Sequence, residues 1–231
     1  MANNEIKRVL CFGDSNTWGC IPVKQERYAP DVRWTGVAQR DLGEEYCIIE
    51  AGINGRTTVF DDPFNEFRNG SKGIAYTLLE SNPLDLIVFC LGTNDLKYTD
   101  ANGASKGLAS LILTAMEMTS RPSMAHLYVP NASLEEIRKK MNKVKILVVS
   151  PILVHPELET INPRSALVNG YQKSLEFAKY YKNIASVCGA WFLDAAQVAE
   201  PSVEDGVHMT AESHIALGHA VAEKIKEIFS E

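Results

Sequence analysis

The sequence predicts an α/β domain in which a five-stranded parallel sheet lies between two layers of helices. Three observations predict it. Five apolar runs of strand length recur along the 231 residues, at 9–13, 47–52, 86–92, 144–150 and 191–195. Two of them, Leu86-Ile87-Val88-Phe89-Cys90-Leu91 and Ile146-Leu147-Val148-Val149, are apolar at successive positions, the pattern of strands buried on both faces. Amphipathic stretches separate the runs, so strand and helix alternate from end to end.

Each helix has its own spacing. Residues 34–42 place Trp34, Val37, Ala38 and Leu42 at helical intervals, and 108–118 form a more uniformly apolar stretch. Residues 166–187 make the longest candidate helix. The last, 211–229, carries Ile215, Gly218, Val221, Ala222, Ile225 and Phe229 on one stripe. Thr210 is its predicted N-cap, with Glu212 and Ser213 in the first turn. The irregular segments are 21–31, 58–71, 96–106 and 153–163. Without an internal repeat or a low-complexity linker, residues 1–231 read as one domain.

Composition narrows the partners. The chain is 45% apolar and 23% charged, an ordinary globular balance, with a net charge of −6. The acidic excess argues against nucleic acid, which needs clustered Lys and Arg. The longest basic run, Arg138-Lys139-Lys140, reads as a solvated helix face. The polar N-terminus lacks a signal-peptide core, and no run approaches the roughly 20 apolar residues of a membrane span. A cytoplasmic protein with no membrane partner is expected. Cys11, Cys47 and Cys90 lie in strand-like runs and Cys188 just before one, as small buried hydrophobes do. No Cys-x-x-Cys pair and no His-Glu-x-x-His motif is present. His214 and His219, five apart on a helix, share no face. No metal or cofactor is expected. Asn131-Ala132-Ser133 matches a glycosylation acceptor, which has no use in an unsecreted chain.

The chemistry falls at strand ends. The first strand ends in Gly13-Asp14-Ser15, the second in Gly52-Ile53-Asn54-Gly55-Arg56, and the third in Gly92-Thr93-Asn94-Asp95. In a parallel sheet these turns share one edge, where open α/β sheets build their crevice. Ser15 then supplies a hydroxyl nucleophile. The backbone N–H groups of Ser15 and Gly55, with the Asn94 side-chain amide, supply donors for a developing oxyanion. His208 precedes the last helix and is the candidate base, with Asp205 three residues earlier to orient it. Alone, Ser15 reads equally as a helix cap, Gly55 as a turn glycine and Asn94 as a turn cap; their joint order favours chemistry. Asp14 reads as a turn stabiliser, and so does Asp95. His126 and His155 fall in loops, and His155 is placed at the pocket border. Trp18 and Trp34 are candidate acyl-site walls, against the commoner reading of aromatics as core. Gly103-Ala104-Ser105-Lys106-Gly107 matches the nucleophile-elbow pattern, but no strand leads into it, so Ser105 reads as an N-cap.

These residues resemble the SGNH, or GDSL-type, hydrolase superfamily. Four blocks appear in order: Gly13-Asp14-Ser15, the glycine turn ending at Gly55, Gly92-Thr93-Asn94-Asp95, and Asp205-x-x-His208. Ser15-Asn16-Thr17-Trp18-Gly19, the stretch 28–36 and Arg56-Thr57-Thr58 are similar to its arylesterase and acyltransferase branch. The resemblance implies a flavodoxin-like three-layer α/β/α sandwich. It implies Ser15 as nucleophile, His208 as base, Asp205 as its orienter, and Ser15, Gly55 and Asn94 around the oxyanion. It further implies hydrolysis of small acyl esters, or transfer of the acyl group to an alcohol or peroxide, without a cofactor. Self-association is implied as well, with loop 21–31 as the candidate contact. Asn16 stands where many members carry leucine. Two alternatives stay open: a carbohydrate deacetylase or thioesterase with the same residues, and a non-catalytic binding domain of the same fold.

Overall fold

The computed structural model describes residues 6–24, 26–119, 133, 135 and 144–231. His126, the run 138–140 and Asn131 lie outside the described residues. The five apolar runs form five parallel strands: β1 (Lys7–Gly13), β2 (Tyr46–Gly52), β3 (Leu86–Cys90), β4 (Lys145–Ser150) and β5 (Trp191–Asp194). Their order across the sheet is β2-β1-β3-β4-β5. The chain leaves β1 in one direction and returns past it to β3. That reversal opens a crevice beyond the C-terminal ends of β1 and β3.

Strand periodicity divides the core into two layers. On β1, Leu10 and Phe12 face one side, where they meet Ile74, Leu78, Leu108, Leu111, Ile112 and Phe177. Val9 and Cys11 face the other side with Trp34, Leu217, Val221 and Ile225. Each fully buried Leu, Ile or Phe contributes roughly 1.5–3 kcal/mol relative to exposure. The helices run α1 (Ser15–Trp18), α2 (Trp34–Leu42), α3 (Gly70–Ser81), α4 (Ala101–Thr119), α5 (Leu158–Ile161), α6 (Gly170–Ser174), α7 (Phe177–Val187) and α8 (Ala211–Ser230) among the described residues.

Several local expectations change. Helix α3 arises where the sequence shows no clear period, because Gly70 and Gly73 dilute its first turn; it supplies the crossover from β2 to β3. Helix α4 begins at Ala101, inside the segment read as irregular, with the Asp100 carboxylate accepting from the Gly103 N–H at 2.9 Å. Ser105 is therefore buried in the helix interior and donates to the Asn102 carbonyl at 2.7 Å, rather than capping the helix. The stretch 166–187 divides into α6 and α7, preceded by Asn169 in a left-handed conformation at φ 64°. Thr210 caps α8 by accepting from the Ser213 N–H at 3.2 Å. The buried stripe of α8 runs through His214, Leu217, Val221, Ile225 and Ile228, whereas Ile215 faces outward. No helix among the described residues is long and apolar enough to cross a membrane.

Candidate active site

Three turns at the C-terminal strand ends build the site. After β1, the Asp14 carboxylate accepts from the Asn16 N–H at 3.0 Å and starts the short helix α1 at Ser15. Gly13 allows this turn to fold tightly: a Cβ there would lie 1.9 Å from Thr17 Oγ1 and 2.5 Å from the Cys90 carbonyl oxygen. After β2, Gly55 adopts φ +81°, and a Cβ there would lie 2.5 Å from Arg68 Nε. The left-handed backbone favours glycine, and a Cβ would also push the Arg68 side chain aside. After β3, a 3-10 turn (Thr93–Lys97) presents Asn94. Tyr181 on α7 steadies its approach by donating to the Leu91 carbonyl at 3.0 Å.

Ser15, separated from His208 by 193 positions, lies 3.0 Å from it, Oγ to Nε2. His208 Nδ1 lies 2.7 Å from Asp205 Oδ2. The other carboxylate oxygen, Oδ1, accepts the N–H groups of Val207 at 3.0 Å and His208 at 2.9 Å. Val23, in the loop opposite, donates its N–H to Oδ2 at 3.2 Å. Asn16 joins the two turns: its amide donates to the Val207 carbonyl at 3.3 Å, and its oxygen accepts from the Met209 N–H at 3.0 Å. Burial works to raise Asp205, but its bonds to His208 outweigh that and bring its pKa down to about 2. Burial works to lower His208; the Asp205 carboxylate, with Cys20 beside it, outweighs that and carries its pKa up to about 10. In its deprotonated form, an imidazole held this way can take a proton from a hydroxyl and is stabilised as the imidazolium.

Facing Ser15, the Asn94 side-chain NH2 donates to the Arg56 carbonyl at 3.2 Å, and its oxygen accepts from Lys97 Nζ at 2.7 Å. The amide is thereby held in one orientation. The N–H groups of Ser15 and Gly55 have no acceptor among the described residues. Behind them lies a buried polar layer. Arg56, 3% exposed, donates to the Gly13 carbonyl at 2.8 Å and to the Ala51 carbonyl, and stacks 4.0 Å from the Phe12 ring centroid. Burial lowers its pKa to about 10. Asp95 accepts the Thr58 N–H, at 3.0 Å to Oδ2, and the Thr58 hydroxyl. Burial raises Asp14 to about 6 and Asp95 to about 7.

Ser15, Gly55, Asn94, Asp205 and His208 all line one cleft of about 600 Å³. The aromatic and histidine walls expected from sequence do not. Trp34 is fully buried in the core against α8. Trp18 turns toward Arg27, whose guanidinium lies 5.4 Å from its ring centroid. His155 sits behind the site: its N–H donates to the Gly206 carbonyl at 2.8 Å, and Nδ1 accepts from the Glu157 N–H at 3.1 Å. It braces the turn that carries Asp205 and His208. The walls instead come from loops, with Val23, Lys24, Arg68, Lys97, Ser165 and Leu167 among them. Lys97 alone left a usable signal in the sequence, three positions after Asn94 on a helical turn. His214, fully buried, accepts the Trp34 N–H at 3.4 Å through Nδ1 and is driven down to about 3 by burial. No group of three or more His, Cys, Asp or Glu among the described residues can hold a metal ion.

A parallel α/β sandwich with a hydroxyl, an imidazole and a carboxylate in line at its switch point has the form of a hydrolase. Residues 11–216 match the GDSL-like lipase/acylhydrolase family, and the chain belongs to that family. Solved structures similar to it include three esterases. The aryl esterase of M. smegmatis is 35% identical, with a TM-score of 0.78 over 96% of this chain and 99% of that one. A carbohydrate acetylesterase from Sinorhizobium meliloti is 33% identical, with a TM-score of 0.80 over 96% and 99%. A carbohydrate acetylesterase family member from the same organism is 31% identical, with a TM-score of 0.81 over 97% and 100%. No match was found among curated proteins.

Proposed function

We propose that this protein is a serine esterase that cleaves small acyl esters through an acyl-serine intermediate. One observation carries the reading: the continuous line from Ser15 Oγ to His208 Nε2, 3.0 Å, and from His208 Nδ1 to Asp205, 2.7 Å. Ser15 Oγ attacks the ester carbonyl while His208 Nε2 takes its proton. The carbonyl oxygen becomes an anion facing the N–H groups of Ser15 and Gly55 and the Asn94 amide. The intermediate collapses, the C–O bond to the alcohol breaks, and His208 returns the proton to the departing oxygen. Water then attacks the acyl-serine by the same route in reverse. An alcohol or peroxide in place of water completes the cycle as acyl transfer.

Hydrolysis of 4-nitrophenyl acetate by wild type and Ser15→Ala tests the proposal. We expect kcat to fall by on the order of 10⁴–10⁶ in the variant, and His208→Ala to lose the burst of 4-nitrophenol. Undiminished turnover by Ser15→Ala removes Ser15 from the mechanism. Labelling of Ser15 by a fluorophosphonate separates this reading from a binding domain without chemistry. The named relatives favour a second reading, deacetylation of carbohydrates. Comparing acetylated sugars, aryl acetates and acyl-CoA thioesters decides between esters of sugars, phenols and thiols.

A further inference from the structure

The cleft carries a charge that ester cleavage does not require. The chain is acidic overall, with a net charge of −6. Yet three cations, Lys24, Arg68 and Lys97, line the cleft, against the single carboxylate of Asp205. Asp205 is occupied by His208. Arg68 pairs with Asp62 at 2.7 Å through one terminal nitrogen, while its buried Nε finds no acceptor among the described residues. Lys97 forms no ion pair among the described residues; its ammonium donates to the neutral oxygen of Asn94 at 2.7 Å. Burial and then the neighbouring Arg68 make that ammonium harder to keep protonated, and the carboxylates of Asp62, Asp14 and Asp95 only partly offset them. A half-buried cation whose hydrogen bond goes to a neutral amide oxygen, with its nearest carboxylates unbonded to it, gains from an anion that can bond it directly. Arg68 lies against Gly55, and Lys97 holds Asn94. The two cations therefore flank the pair of residues that receive the ester carbonyl in the reading above.

We infer that the cleft selects esters that carry a carboxylate near the scissile bond, held by Lys97 and Arg68. The inference rests on Ser15-dependent ester hydrolysis. A neutral ester meets only the oxyanion donors. An acidic one adds a charge-assisted hydrogen bond, the stronger kind. Exposed Lys24 at the rim draws the anion toward the opening.

Two matched pairs test this and separate the acyl side from the alcohol side. The first compares 4-nitrophenyl hydrogen glutarate with 4-nitrophenyl valerate; the second compares 4-acetoxybenzoate with its methyl ester. We expect kcat/KM to favour the acidic member of at least one pair by about tenfold at low salt. The preference should shrink toward unity in about 0.5 M NaCl, in Lys97→Gln and in Arg68→Gln, and return in Lys97→Arg. Glutamine at 97 keeps a donor for Asn94, so the ratio reads charge rather than the orientation of the amide. Ratios at or below one in both pairs, with neutral-ester turnover still lost in Ser15→Ala, overturn the inference alone. A preference that survives both glutamine variants overturns the assignment to these residues. Full activity in Ser15→Ala instead overturns the esterase reading beneath it.

Discussion

Asp205 belongs to the turn before the last helix, and Asp14 and Asp95 to the turns after β1 and β3; their surroundings push them in opposite directions. Asp205 has a basic ring 2.7 Å away and falls to about 2. Asp14 and Asp95 are buried more deeply, receive backbone N–H groups, and rise to about 6 and 7. Arg56 draws Asp14 down, but its guanidinium donates to the Gly13 and Ala51 carbonyls, so burial prevails. In this interior a carboxylate keeps a low pKa where a basic ring bonds it directly, and burial raises it where its bonds come only from neutral donors. The first region is built to carry charge, and the second to hold the shape of the turns after β1 and β3.

The largest break in that contrast is Asp205→Asn. It leaves a group of the same size but stabilises the wrong tautomer of His208 and no imidazolium, so kcat falls by on the order of 10⁴. In wild type, His208 is raised above its ordinary 6.5 toward about 10. The acid limb of kcat/KM therefore has its midpoint above 6.5, and in the residual activity of Asp205→Asn it moves down. An unmoved limb separates Asp205 from the titration of the base.

Next comes Asp95→Ala, which strands the buried Thr58 N–H and costs about 1–3 kcal/mol in urea unfolding. Asp95→Asn keeps one acceptor and costs less. The same variant sharpens the comparison through pH. Asp95 binds its proton more tightly folded than unfolded, so its stabilisation is present below about pH 4 and is lost as pH rises through about 7. Asp205 is the reverse: its stabilisation is present above about pH 4 and is lost as pH falls toward about 2. Asp95→Asn should flatten the decline of unfolding free energy between about pH 4 and 7. Identical slopes in the two proteins show that Asp95 titrates alike folded and unfolded.

The smallest effect lies in the loop that touches Asp205. Val23 sits at φ +53°, in the left-handed region that a β-branched residue resists, while its N–H serves Asp205. Val23→Gly keeps that donor and relieves the backbone. A net gain of about 0.5–1 kcal/mol is expected after the added freedom of the unfolded chain is counted. A loss of stability shows that the exposed side chain packs usefully.

The charge-carrying region was legible in the sequence because it uses few residues in fixed order: Ser15 after one strand, and Asp205 and His208 before the last helix. The five strands were legible because a sheet covered on both faces demands continuous apolar runs. The cleft walls were not. Arg68 reaches the site from a turn whose course depends on tertiary packing, and only the spacing of Lys97 from Asn94 hinted at its place. Trp34 illustrates the limit, since an aromatic at helical spacing reads alike whether it faces a pocket or a core. Helix α3 was lost because Gly70 and Gly73 weaken its start, although a parallel β2–β3 crossover needs an element there.

The two hydrogen bonds of Asn16 bridge 191 and 193 positions, tying the turn beside Ser15 to both flanks of His208. They can form only when the last turn docks against the first strand. During synthesis, a chain that has already folded its sheet still holds an unactivated hydroxyl until its final segment arrives. On the proposed reading, activation of Ser15 therefore waits on completion of the fold.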